Sequence, residues 1–179
     1  ASAQIKKGDI VSISYKDGDT YKYITFDGTA IKVTENPSIG SLWKVDNNQI
    51  ENQYTFQSIS NEKKFLYRGY YLTTGEIGTV FTYTQEKKMT FNMYNSTYYV
   101  YISDARPDSW AGSNNNATNG LSLEIEKWTR KVVPGGLSGA FTPIGDPFGL
   151  ATTDSRETKT VQFTITRTTA EDYLYCVNR

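Results

Sequence analysis

The feature that most constrains this chain is a pair of adjacent strand patterns that occurs three times. It appears as Ile10-Val11-Ser12-Ile13-Ser14-Tyr15 followed by Tyr21-Lys22-Tyr23-Ile24-Thr25. It returns as Tyr54-Thr55-Phe56-Gln57-Ser58-Ile59-Ser60 followed by Lys64-Phe65-Leu66-Tyr67-Arg68, and again as Met89-Thr90-Phe91-Asn92-Met93-Tyr94-Asn95 followed by Tyr98-Tyr99-Val100-Tyr101-Ile102-Ser103. The anchors on the second strand, Tyr23, Leu66 and Val100, fall roughly 40 residues apart, a period typical of repeat architectures. A further strand closes each unit, around Trp43, Phe81 and Leu123, at a similar spacing.

Apolar and polar residues alternate with period two in short segments, and Gly, Asn, Asp and Ser clusters separate them. The pattern predicts an all-β fold with strands over Ile10–Tyr15, Tyr21–Thr25, Ala30–Thr34, Ser41–Val45, Tyr54–Ser60, Lys64–Arg68, Tyr70–Thr74, Thr79–Thr84, Met89–Tyr94, Tyr98–Ser103, Leu121–Trp128, Thr160–Thr168 and Tyr173–Val177. Asp17-Gly18 and Asp27-Gly28 are hairpin-turn dipeptides, because glycine accepts the positive φ such turns need. The sole helix candidate is a turn near Thr169–Asp172.

Four-strand units repeated three times at this period resemble a β-trefoil. The run Leu42-Trp43-Lys44-Val45, then Gln49-Ile50-Glu51-Asn52, Phe56, Phe65-Leu66 and Tyr71-Leu72 is similar to the passage between repeats in ricin-B-like and fascin-like trefoils. The Gln-x-Trp signature of ricin-type lectins is absent, since none of Trp43, Trp110 and Trp128 has Gln two residues before it. The expected architecture is therefore β-trefoil-like, with a C-terminal Gly/Pro-rich connection and two further strands. The alternative is a β-sandwich, which many short strands with turn signals also fit. The expected division is an arm or leader remnant over 1–7, a trefoil-like domain over 8–130, a Gly/Pro-rich connection over 131–158, and a strand pair over 159–179. That last pair either completes the third repeat or opens a second, similar domain.

Composition narrows the function. Lys and Arg number 19, as do Asp and Glu, so formal net charge is zero. Binding to phosphate backbones needs a basic surplus, and nucleic acid is not an expected partner. The chain has no histidine and one cysteine, Cys176. The commonest general base and transition-metal ligand is thus missing, and an intrachain disulfide is impossible. No cofactor or metal is expected. Cys176 reads as a half-buried strand residue or as an intermolecular partner. No apolar run reaches the ~20 residues of a membrane span. Ala1-Ser2-Ala3-Gln4 resembles the A-x-A leader ends of many bacterial surface proteins, pointing to a secreted or cell-surface location.

The candidate ligand contacts lie in the loop Asp104–Asn119, which carries Asp104, Arg106, Asp108, Trp110, Asn114, Asn115 and Asn116 between two strong strands. An aromatic face with amide and guanidinium donors suits a sugar ring or a peptide backbone. The same residues also fit a structural role, with Trp110 plugging the barrel, Asp104 capping a turn and Asp108 solvated. Tyr70 and Tyr71 alternate across a strand, so one of them is expected at the surface. Asn95-Ser96-Thr97 and Asn116-Ala117-Thr118 match the glycosylation acceptor pattern. Asp104 and Asp108 are the one close carboxylate pair beside an aromatic that a glycosidase-like scheme could use. Without a base or metal constellation, the expectation is no enzyme. The expected role is a non-catalytic module, a structural or interaction part of a larger surface assembly that forms homo- or hetero-oligomers. The alternatives are a carbohydrate-binding module and a trefoil-type protease inhibitor. The expected partners are accordingly a protein or a surface glycan.

Overall fold

Period-two burial builds the strands. The computed structural model describes residues 5–47, 50–69, 72–93, 96–103, 122–127 and 161–178. Strand β1 (Ile10–Asp17) buries Val11, Ile13 and Tyr15, and β5 (Gln53–Ser58) buries Tyr54, Phe56 and Ser58. Successive side chains of a strand face opposite ways, so these residues share one inner face. The other strands are β2 (Thr20–Phe26), β3 (Ile31–Thr34), β4 (Leu42–Asp46), β6 (Phe65–Arg68), β7 (Leu72–Gly75), β8 (Phe81–Tyr83), β9 (Met89–Met93), β10 (Ser96–Ser103), β11 (Ser122–Lys127) and β12 (Phe163–Arg167). A 3-10 turn spans Ile39–Ser41, and a helix, α1, spans Ala170–Val177. The chain is all-β in class, with one curled antiparallel sheet.

The pairings repeat. One edge of β1 runs along β12, from Val11 against Arg167 to Tyr15 against Phe163. Its other edge is shared: Ile10–Ser12 pair with β4, and Ser14–Asp17 with β2. In the same way, β5 pairs with β4 on one edge and divides the other between β8 and β6. β9 pairs with β8 on one edge and with β10 on the other. The hairpins β2–β3, β6–β7 and β10–β11 follow β1, β5 and β9, and their outer strands β3, β7 and β11 meet one another.

One backbone hydrogen bond recurs in all three units. Val45 N–H donates to Asp9 O at 2.9 Å, Tyr83 N–H to Asn52 O at 2.8 Å, and Phe163 N–H to Lys87 O at 2.7 Å. Each acceptor stands just before β1, β5 or β9. Each approach also contains a residue of positive φ: Gly8 at 90°, Asn52 at 65° and Lys87 at 65°. β12 thus stands to β9 as β4 stands to β1 and β8 to β5. This arrangement is compatible with a β-trefoil-like fold.

The core lies inside the curl. Trp43, Phe56, Phe81 and Phe163 are fully buried there. Trp43 also donates its indole N–H to Ile24 O at 3.3 Å, tying β4 to β2. Tyr54, Phe56, Phe81, Phe91 and Tyr98 form a relay of ring contacts with centroids 5.2 to 6.1 Å apart. Tyr15 meets Phe163 edge-on at 6.0 Å. Such pairs contribute about 0.5–1.5 kcal/mol each beyond area burial.

Three expectations need correction. Tyr173–Val177 is helix, not strand. Thr169 caps α1, its hydroxyl accepting from Asp172 N–H at 3.0 Å, and Glu171 and Asp172 complement the helix dipole in the first turn. The C-terminal part therefore supplies one strand and one helix, and Cys176 is buried on that helix. Leu123 does not mark a closing strand, because β11 is the hairpin partner of β10, in the place that β3 and β7 take in the other units. The closing strand of the third unit is β12, across the link 128–162. On β2 the buried anchor is Ile24, while Tyr23 is half-buried.

Phe163 tests the role of β12. Phe163→Ala should lower the unfolding free energy by about 3–5 kcal/mol in urea titrations followed by far-UV circular dichroism. A loss under about 1 kcal/mol would mean that β12 is dispensable to the core.

Candidate functional site

The β2–β3 hairpin, the link to β4 and the β5–β6 turn enclose an open groove of about 560 Å³. Its walls include Thr25, Asp27, Lys32, Thr34, Asn36, Ser38, Gly40, Ser60 and Asn61. A chain of hydroxyls organises it. Thr25 Oγ1 lies 2.9 Å from Thr34 Oγ1 and 2.8 Å from Ser41 Oγ, and Ser41 Oγ accepts from Ser38 N–H at 3.0 Å. Thr34 Oγ1 donates to Asn36 O at 3.1 Å. The chain fixes the 3-10 turn against the hairpin. A close approach does the same at Gly40, where a methyl would overlap the Phe26 carbonyl oxygen.

The groove holds one carboxylate and one ammonium. Asp27 Oδ1 accepts from Thr29 N–H and Ala30 N–H, both at 2.8 Å, while Oδ2 lies 3.4 Å from Lys32 Nζ. The Ala30 and Thr29 amides, and then Lys32, hold the Asp27 carboxyl below the usual carboxylate range. The two charges offset each other, and the rest of the wall mixes hydroxyls and amides with the apolar Phe26 and Ile39. Such a surface can exchange hydrogen bonds with a neutral ligand rich in hydroxyls.

A second, smaller cavity of about 170 Å³ lies between α1 and the sheet. Ser12, Tyr23, Pro37, Leu42, Thr168, Asp172 and Cys176 are among its walls. Burial, and then the Asp172 carboxylate, push the Tyr23 phenol above its ordinary value. Thr168 Oγ1 is buried with no hydrogen-bond partner among the described residues. The described residues hold no group of three or more His, Cys, Asp or Glu side chains placed to bind a metal ion. None of their helices is long and apolar enough to cross a membrane.

The contacts expected from sequence lie outside the described residues: Asp104, Arg106, Asp108, Trp110, Asn114 and Asn116 within 104–121, and Tyr70 and Tyr71. The acceptor Asn95 lies outside them as well. The groove was not legible as a site. Asp27 reads in sequence as a turn residue, and the available signal was the polar link Thr34-Glu35-Asn36-Pro37-Ser38 between two apolar strands. No family model, curated protein or solved structure matches the chain.

Two outcomes follow from this geometry. Gly40→Ala should cost about 1–3 kcal/mol of stability, read by urea denaturation, because the added methyl meets rigid backbone. Asp27 has a folded pKa below its ordinary 3.8, so its stabilisation is complete above 3.8 and is lost as pH falls through the lowered value. The stability gap between wild type and Asp27→Asn should therefore close on acidification below 3.8. A gap unchanged down to pH 2 would contradict the pinned carboxylate.

Proposed function

We propose that the chain is a β-trefoil module of a secreted or cell-surface protein, and that it binds a neutral sugar in the groove beside the β2–β3 hairpin without catalysing a reaction. The trefoil reading is supported by the backbone bond repeated at Asp9, Asn52 and Lys87, and by the meeting of the three hairpins through β3, β7 and β11. The observation that carries the ligand reading is the composition of the groove wall. The amides of Asn36 and Asn61 and the apolar Phe26 and Ile39 flank one self-neutralised charge pair. A neutral polyol loses little on leaving water where such donors and acceptors replace it, while an isolated ion would find no uncompensated counter-charge in the pair. The non-catalytic reading rests on a chain without histidine and on a groove whose carboxylate is engaged by its own turn.

A second reading, a part of a larger surface assembly, is favoured by one observation. α1 leaves Leu174 60% and Val177 45% exposed, an apolar pair one helical turn apart. Mass measurement in solution separates a monomer from an assembly that covers this pair.

A panel of neutral oligosaccharides, followed by titration calorimetry, tests the sugar reading. The double variant Asn36→Ala, Asn61→Ala should weaken binding of any positive glycan at least about tenfold, the equivalent of about 1.4 kcal/mol. Equal affinity in wild type and variant, or no glycan bound by the wild type, would sink it.

A further inference from the structure

The groove and the smaller cavity lie on opposite sides of one short link. Asn36, Ser38, Ile39 and Gly40 face the groove, whereas Pro37 and Leu42 face the cavity beneath α1. α1 itself packs against the 3-10 turn Ile39–Ser41. The turn is thus held from the groove side by the Ser41–Thr25 hydroxyl bond and from the other side by the helix.

α1 is held weakly. It has eight residues, and helices shorter than about 12–15 residues are marginal in water without tertiary support. Cys176, 2% exposed, is its one buried side chain. The space beneath it is a polar cavity rather than packed apolar surface, and the buried Thr168 hydroxyl adds a further cost. Elements with few buried contacts open at low free energy, ahead of the core.

We infer that α1 is a detachable brace for the groove, and that Cys176 is the positioning residue through which its docking holds the Ile39–Ser41 turn and the hydroxyl chain in place. Undocking of α1 loosens the turn and with it the groove wall. The importance of this for ligand binding rests on the sugar reading above, but the coupling itself does not. The brace also has a built-in access point, because the chain's single thiol becomes reachable only when α1 lifts.

The test uses the full chain and no ligand. N-ethylmaleimide alkylates Cys176 by addition of the thiolate sulfur across the maleimide double bond, with a proton delivered to the neighbouring carbon, and the adduct cannot fit the buried position. Amide hydrogen exchange by NMR then compares labelled and unlabelled protein. Protection at Tyr173 and Asn178, whose N–H groups are bonded within α1, should fall. Protection at Ser38 and Ser41 should fall with it by at least tenfold, while Ile13 and Phe56 in the core stay unchanged. Loss confined to α1, or an α1 that stays protected after labelling, overturns the brace. Where the adduct unfolds the whole chain, Cys176→Ala provides the same comparison: selective loss in α1 and residues 38–42 supports the inference, and uniform loss overturns it. A chain that binds no sugar but shows the coupled exchange refutes the ligand reading and leaves the brace intact.

Discussion

The closure of the third unit depends on β12, whose Phe163 N–H donates to Lys87 O. β12 already pairs with β1 along five residues, from Val11 to Tyr15. The Lys87 contact adds the approach to β9, so β12 bridges the first and third units. The Tyr83 hydroxyl donates to Phe163 O from β8 and secures the same junction. Without this bridge, the inner edge of β1 and the entry to β9 would present unpaired backbone groups beside the largest buried rings, and unpaired buried N–H and C=O groups cost about as much as lost hydrogen bonds. The aromatic relay from Tyr54 to Tyr98 and the Tyr15–Phe163 contact then have a common interior to fill.

Much of the fold was legible because period-two alternation marks the leading strands of the first two units. Val11, Ile13 and Tyr15 on β1, and Tyr54 and Phe56 on β5, are apolar at every second position and buried. The same rule misread the last element. Tyr173, Tyr175 and Val177 alternate with Leu174 and Cys176, but all five are apolar or aromatic, so the run carries no period. The decisive signal was upstream. Thr169-Ala170-Glu171-Asp172 is a helix-start pattern, in which a hydroxyl takes the free N–H three residues on. Leu123 misled for a different reason: spacing alone favoured the nearer strand, whereas backbone pairing assigns β12 to that place. The groove was hidden because its residues come from three separate turns, each ordinary on its own.

The groove illustrates how a hairpin turn can satisfy its own polar groups. Asp27 accepts two amides of its own turn and neighbours Lys32, so its charge is compensated within the fold. Thr25, Thr34 and Ser41 satisfy one another in the same way. Groups fixed by the scaffold lose little further freedom on binding, which is the physical content of preorganisation. Ser41 is fully buried, so this order reaches into the interior.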